Sequence, residues 1–269
     1  MIQIKTPAEI EKMRTAGLVV GRTLDKLCAA VAPGVSTAEL DELAESAIRG
    51  EGAIPSFLGY RGFPGTICTS VNEEVVHGIP RRTKVLREGD VVSIDCGAIV
   101  DGYHGDAAVT VPVGQVAPQL RELLAVCEES MWRGFAAARL GGRLSDISAA
   151  VEATVRPLGY GIVEGYGGHG IGTEMHQDPH VLNYGRPGRG PRLVKGLALA
   201  IEPMITMGAA GTRELADRWT VVTQDGSYAA HFEHTFTLTD AGPWVLTALD
   251  GGASRLSSLL SGTATPAAR

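Results

Sequence analysis

The sequence has few cysteines, and none lies in a pattern that would form a disulfide framework. Its four cysteines, Cys28, Cys68, Cys96 and Cys127, are scattered with no C-x-x-C pair, so we expect reduced thiols. No apolar run approaches the roughly 18 residues that a transmembrane helix needs. The N-terminal sequence MIQIKTPAEIEKM lacks the charged-then-apolar order of a signal peptide. We therefore expect a cytoplasmic protein without a membrane partner.

An excess of basic residues is also missing. The 24 Lys and Arg residues are outnumbered by 30 Asp and Glu residues, which gives a net charge of −6. Because a nucleic-acid surface normally shows a basic patch, we expect no nucleic-acid partner. The sequence also contains no H-E-x-x-H motif, which excludes the helical zinc site of the zincins.

Helical and strand-like segments follow one another in an order that occurs twice. Apolar residues recur at helical spacing in four segments, about 8–31, 36–48, 119–140 and 145–156. Strand-like alternation, interrupted by Gly, Pro and Asp-Gly signals, occupies about 53–113 and 160–248. The order of elements is therefore helix, helix, strands, and then the same again.

The two helix pairs also resemble each other in sequence. PGVSTAELDELAESAIR matches LGGRLSDISAAVEATVR at a constant offset, so that Leu40 maps to Ile147. This offset exceeds the 20 to 50 residues of stacked repeats and indicates an internal duplication. We predict an α+β fold in a single domain, residues 1–250, with halves of roughly 5–113 and 114–250 around one site. The small and polar residues 251–269 are predicted to form a flexible tail.

Two aspartates lie in the otherwise apolar segment SIDCGAIVDGYHGD. Asp101-Gly102 predicts a two-residue hairpin turn, because both positions of a type I′ turn need positive φ. Counting outward places Gly97 opposite Asp106 and puts Asp95 on the same face, roughly 7–8 Å away across the strands, with Cys96 on the other face. Gly97 has no side chain and should leave open space beside Asp106. Like charges at this range call for a cation, so the pair predicts a metal site.

Other candidate ligands lie in apolar, non-helical segments. His169 in GYGGHGIG, Glu202 in LALAIEPM and Glu233 in HFEHTFTL are imidazole and carboxylate ligands of the kind that divalent metals take. Each glutamate taken alone fits a surface or salt-bridged role equally well. GYGGHG also matches the dinucleotide pattern G-x-G-x-x-G, but the residues after it do not predict the helix that such a site needs. His77 in VVHGIP and His176 in EMHQDPH are isolated, and spacing alone favours a structural role for both.

Five segments, in order, resemble blocks of a known family. They are PSFLGYRGFPGTICTSVNEEVVHGIP, GDVVSIDCGAIVDGYHGDAAVT, GYGGHGIGTEMHQDP, LAIEPM and AAHFEHT. The sequence resembles the type I methionine aminopeptidases in their short bacterial form, from about Ile4 to Leu246. This resemblance implies the pita-bread fold, with two pseudo-symmetric halves around a dinuclear metal site. It also implies removal of the initiator methionine from nascent proteins and peptides with a small second residue.

The resemblance implies which residues bind the metals. The five ligands would be Asp95, Asp106, His169, Glu202 and Glu233. Asp95 would bind one ion, His169 and Glu202 the other, and Asp106 and Glu233 both. Glu202 would also be catalytic, by transferring protons.

Two histidines and an apolar pocket complete the site that the resemblance implies. His176 would stabilise the tetrahedral oxyanion, and His77 would contact the substrate beyond the scissile bond, so both would be catalytic and substrate-binding. The methionine side chain would lie in a polarizable pocket formed by Tyr60, Cys68, Phe63, Met175 and Trp219. Phe57, Phe63 and Met175 stand where relatives often carry other residues, and simple core packing stays open for them.

The implied cofactors are two divalent ions, and the resemblance also suggests a monovalent cation near Asn72. A carboxylate-rich site with one imidazole suits Co, Mn, Fe or Zn. The implied partners are methionyl peptides, nascent chains and the ribosome. Two alternatives stay open. One is an Xaa-Pro peptidase of the same fold, whose usual extra N-terminal domain has no room before Asp95. The other is a non-catalytic pita-bread binding protein, against which the five ligands argue.

Overall fold

The first two helices begin where the sequence predicts, in a computed structural model that describes residues 2–261. Thr6 and Ser36 are the N-caps of these helices, and each hydroxyl accepts a hydrogen bond from the backbone N–H three residues later. Glu9 and Glu39 accept in return from the N–H of the capping residue, which completes two capping boxes. The helices are α1 Pro7–Ala30, α2 Thr37–Gly50, α3 Pro118–Ala137, α4 Leu144–Val155 and α5 Ala253–Ser261.

Strands fill both regions in which the sequence alternates. Those of the first region are β1 Ile54–Pro55, β2 Ile67–Val71, β3 Glu74–Val76, β4 Val91–Val100 and β5 Tyr103–Pro112. Those of the second are β6 Gly161–Ile162, β7 Gly168–Gly170, β8 Gln177–Val181, β9 Ala198–Ile201, β10 Met204–Thr206, β11 Thr212–Glu214, β12 Val221–Thr223, β13 Ala229–His231, β14 Glu233–Thr239 and β15 Gly242–Val245. Most strands other than β4 and β5 are short, so long-range pairing holds them in place.

One curved sheet runs through both parts of the chain. Its strand order is β1-β4-β5-β14-β9-β7-β8, with β2 also pairing with β4 and β15 with β14. The antiparallel pair β5–β14 joins the two parts, with Ala108 opposite Glu233 and Ala107 opposite His234. The predicted α+β fold with two similar parts around one region is therefore confirmed.

Each part of the chain has its own hydrophobic core. In the first, α1 packs on β4 and β5, and the core contains Ile94, Cys96 and Ala107. In the second, α3 and α4 pack together over a core that contains Phe135 and Phe236. Cys96 thus lies on the helix side of the hairpin, away from Asp95 on the other side.

Glycine allows α1 to approach the hairpin closely. A Cβ atom on Gly105 would lie 2.7 Å from the backbone N of Gly17, a separation that would force the helix away from the strand. The helix therefore rests directly on the side of the hairpin that faces away from Asp106.

The C-terminal segment differs in part from its prediction as a flexible tail over 251–269. Residues 253–261 form α5, and Leu256 is buried in the core around α3. Its apolar residues recur at helical spacing, which explains why a helix forms in a segment otherwise rich in small residues. Residues 262–269 of the predicted tail lie outside the described residues. Within residues 2–261, no helix is both long and apolar enough to cross a membrane.

Candidate active site

The β4–β5 hairpin has the predicted turn and register. Asp101 and Gly102 have φ values of 49° and 79°, which only turn residues of this kind adopt readily. Gly97 lies opposite Asp106, and Asp95 lies opposite Ala108. The two aspartates therefore share the face that points away from α1, and they are 9% and 4% exposed.

The space beside Asp106 is not open, contrary to the expectation based on Gly97. A Cβ atom on Gly97 would lie 2.8 Å from Cε1 of Phe57 and 2.8 Å from Cβ of Ser56. The residues after β1 fold over the hairpin here because Ser56 N donates a hydrogen bond to the Gly97 carbonyl. Gly97 thus allows Phe57 to form one wall of the site.

Sheet pairing brings three further predicted ligands to the aspartates. Glu233 begins β14 in the row that contains Ala108 and Asp95. Nε2 of His169 on β7 lies 3.6 Å from Oε1 of Glu202, which directly follows β9. The same Nε2 lies 4.0 Å from Oε1 of Glu233 and 3.9 Å from Oδ2 of Asp106. The residues line one cavity of about 180 Å³ together with Asp95.

Several carboxylate oxygens in this cavity lack the partners that burial requires. Oδ1 of Asp95, Oδ1 of Asp106 and Oε1 of Glu233 are buried and have no hydrogen-bond partner among the described residues. Leaving such a group unpaired costs about 1–3 kcal/mol, and more if it is charged. Asp106, His169 and Glu233 also place one ligand atom each within 4.8 Å of one another. The donor set fits divalent cations, which would satisfy these oxygens.

The electrostatics of the carboxylates support the same interpretation. Burial raises the pKa of Asp106 and that of Glu233 well above the usual range of a carboxyl group, and repulsion by the neighbouring carboxylates raises both further. Burial likewise raises the pKa of Glu202, and it raises that of Asp95 to about 7. Bound cations would favour the ionised forms and reverse these shifts.

The two isolated histidines, His77 and His176, both line this cavity. Nδ1 of His176 shares a hydrogen bond of 2.9 Å with Oη of Tyr60, and its ring centroid lies 4.3 Å from that of His169. Burial lowers the pKa of His77 to about 4, so its imidazole is neutral at pH 7. Both rings also line a second, more polar cavity of about 390 Å³ that continues from the first.

The residues predicted to bind a methionine side chain form one apolar wall. The buried side chains of Phe57, Phe63, Cys68 and Met175 pack together, with Tyr60 and Trp219 partly buried against them. The rings of Phe63 and Trp219 meet edge to face with centroids 5.0 Å apart. This wall and the five candidate ligands line the same cavity.

Comparison with known proteins identifies the family. The model of metallopeptidase family M24 matches residues 11–240. The chain belongs to this family. It is 55% identical over 247 residues to a methionine aminopeptidase of Clostridium acetobutylicum, a match that covers 92% of this chain and 99% of that one. Membership of family M24 implies the use of a divalent metal.

Solved structures agree with this assignment. A methionine aminopeptidase from Thermotoga maritima superposes with a TM-score of 0.91 at 44% identity, covering 92% of this chain and 100% of that one. An Xaa-Pro dipeptidase from Bacillus anthracis is less similar, with a TM-score of 0.74 and 26% identity, covering 91% of this chain but 61% of that one. The similarity therefore does not favour the Xaa-Pro alternative.

Other motifs take different roles in this M24 fold. GYGGHG contributes β7 and is followed by β8 with no intervening helix, which agrees with the expectation that this match is not a dinucleotide site. Asn72 has a φ of 60°, and its carbonyl accepts a hydrogen bond from Ala229 N. Its side chain bonds to Asp90 and to Val91 N. The monovalent cation near Asn72 stays a prediction.

One polar residue of the site was missed by the sequence analysis. His231 is 1% exposed, and Nε2 lies 3.5 Å from Oε2 of Glu202 and 3.8 Å from Oε2 of Glu233. Neither ring nitrogen has a hydrogen-bond partner among the residues that the structure describes. The available signal was its position two residues before Glu233 in an alternating segment, which places both side chains on one face.

Proposed function

We propose that this chain removes the N-terminal methionine from peptides and nascent proteins whose second residue is small. The observation that carries the proposal is one cavity lined on one side by five buried metal-ligand candidates and on the other by an apolar wall of the size and softness that suit a thioether. The names of the relatives support the same substrate. An amino-terminal methionine is assigned to the space between these two sides, with its side chain against Phe63 and Trp219.

Two divalent ions are proposed for the carboxylate side. Asp95 is assigned to one ion, His169 and Glu202 to the other, and Asp106 and Glu233 to both. When bound, such ions supply Lewis-acid polarisation of the scissile carbonyl and lower the pKa of water. Co, Mn, Fe and Zn each suit this donor set.

The chain's own residues perform the proton transfers and orient the substrate. Glu202 is assigned to accept a proton from the attacking water and to return it to the leaving amine, and its position in the lining of the cavity supports this role. With the Tyr60 hydroxyl donating to Nδ1 of His176, the other ring nitrogen carries the proton and is assigned to donate to the oxygen of the scissile carbonyl. His77 lies where the two cavities meet and is assigned to the peptide beyond the scissile bond.

The proposal extends to the cellular context. Nascent chains are the natural source of the substrate, so we expect a cytoplasmic enzyme that acts near the ribosome. Residues 1–250 are proposed as the single catalytic domain.

The test uses metal-loaded protein and two peptides. We expect methionine release from Met-Ala-Ser but not from Met-Leu-Ser, and we expect a chelator to stop it. Glu233→Ala should abolish release while retaining the circular dichroism spectrum, and Glu214→Ala, an exposed glutamate on β11, serves as the matched control. Release of the first residue from Xaa-Pro peptides instead, or release that survives metal removal, would contradict the proposal.

A further inference from the structure

The two imidazoles of the site approach opposite oxygens of the same two glutamates. His169 Nε2 faces the Oε1 atoms of Glu202 and Glu233, at 3.6 and 4.0 Å. His231 Nε2 faces their Oε2 atoms, at 3.5 and 3.8 Å. Each carboxylate thus lies between two rings, of which only His169 lines the cavity together with the glutamates. His231 therefore approaches the carboxylates of Glu202 and Glu233 without lining the cavity itself.

The backbone of His231 is held firmly. Its N–H donates to Oγ1 of Thr110 at 2.8 Å, and its carbonyl accepts from the same hydroxyl at 2.8 Å. Thr110 Oγ1 in turn contacts Ser93 Oγ at 2.9 Å, and Met204 pairs with His231 across β10 and β13. Strand pairing on one side and Thr110 on the other therefore fix where the ring can lie.

A buried imidazole without partners requires a reason. A neutral imidazole has one N–H donor and one lone pair, and leaving such a donor unpaired in the interior costs about 1–3 kcal/mol. Leucine or methionine would fill the same volume without this cost. Two carboxylate oxygens approach Nε2, and that of Glu202 is the nearer of the two.

We propose that His231 is a positioning residue whose Nε2–H donates a hydrogen bond to Oε2 of Glu202. This donation holds Oε2 away from the cavity and keeps Oε1 directed to the side that His169 faces. The separation of 3.5 Å is longer than a normal hydrogen bond, and such contacts tighten when a site is loaded. The inference rests on the proposed metal-binding role of Glu202.

Metal affinity tests this role without relying on turnover. Titration calorimetry with Mn²⁺ should show about 10- to 100-fold weaker binding for His231→Leu, the usual effect of losing a residue that orients a metal ligand. His231→Gln, which retains an N–H donor, should recover most of the affinity. His231→Met is the second variant without a donor if His231→Leu does not fold. Wild-type affinity in a folded variant that lacks the donor would overturn the proposal, and so would an equal loss in His231→Gln.

A spectroscopic measurement separates hydrogen bonding from direct ligation. Nitrogen-15 spectra of histidine-labelled protein loaded with Zn²⁺ should show Nε2 of His231 protonated. An unprotonated Nε2 shifted by the metal would mean that the ring is a sixth ligand and would refute the donor role. Failure of the wild-type protein to bind any divalent metal would instead contradict the proposed function, so the two failures are distinguishable.

Discussion

Replacing Asp106 by Asn should stabilise the metal-free protein and weaken its response to metal. The side chain is 4% exposed, and Oδ1 has no partner among the described residues. Asn has nearly the same shape, so packing against the neighbouring strands is retained. The change removes one ionisable carboxyl from a buried group that also contains Asp95, Glu202 and Glu233. Without metal, ionising this carboxyl is costly, and with metal the carboxylate is a proposed ligand.

The expected gain in stability of the metal-free variant follows from the pKa values of the carboxyl groups that remain. Burial raises the pKa of Asp95 to about 7, whereas the unfolded value is about 3.9. A carboxyl with a raised pKa contributes stability that is complete below about pH 4 and is lost as the pH rises through its folded pKa. The metal-free protein is therefore least stable above about pH 7. Burial and then repulsion by Asp106 raise the pKa of Glu233, so the substitution should lower that pKa, and each unit by which it falls returns up to about 1.4 kcal/mol to the metal-free protein.

Thermal unfolding measured at pH 8 tests the reasoning. In EDTA, Asp106→Asn should melt about 3–5 °C above the wild type, as expected for this free energy in a chain of this length. At a Mn²⁺ concentration 100 times its dissociation constant, the wild type should gain about 2.7 kcal/mol, and the variant should gain little. Asp101→Asn, the same substitution at the exposed hairpin turn, should change neither result. A metal-free variant less stable than the wild type, or one stabilised equally by Mn²⁺, would refute the argument.

Three further predictions concern the pocket and the N-terminus. Tyr60→Phe removes the hydrogen bond to His176 and should lower kcat by about 3- to 10-fold with KM nearly unchanged in steady-state assays; a change confined to KM would argue against an orienting role. Gly97→Ala should displace Phe57, raise KM for methionyl peptides and cost about 1–3 kcal/mol in urea unfolding, so an unchanged KM would contradict the assignment of that wall. Burial lowers the pKa of Lys5 to about 8, so the folded state binds fewer protons than the unfolded state between about pH 8 and 10 and stability should rise with pH there. Unfolding curves of the wild type and of Lys5→Met at about pH 8 and pH 10 should show this rise in the wild type only. The same change in stability in both proteins would mean that the pKa of Lys5 is not lowered.

The hairpin could be predicted from the sequence because its determinants are local. Asp101-Gly102 specifies the turn, and strict alternation then assigns Asp95 and Asp106 to one face and Cys96 to the other. The helix starts at Thr6 and Ser36 are local signals of the same kind. Such features depend on residues only a few positions apart.

The contacts that the sequence did not reveal depend on distant pairing. Nothing near Gly97 shows that Phe57 will fold over it, since this depends on the β1–β4 register. The position of His231 two residues before Glu233 indicates a shared face, but its approach to Glu202 depends on the convergence of β10, β13 and the end of β9, which no local pattern encodes. Glu202 and Glu233 were ambiguous singly for the same reason; the aspartate pair favoured a ligand role for them, and resemblance to a family assigned it.

The pair β5–β14 has a consequence for how the protein is made. Asp95 and Asp106 leave the ribosome long before Glu233, the residue that lies across the sheet from Ala108. Until β14 is added, the early hairpin holds two carboxyl groups that will be buried, without the ligands that would share a metal with them. Metal uptake during synthesis should therefore occur late and in one step, once the two parts of the sheet have been joined.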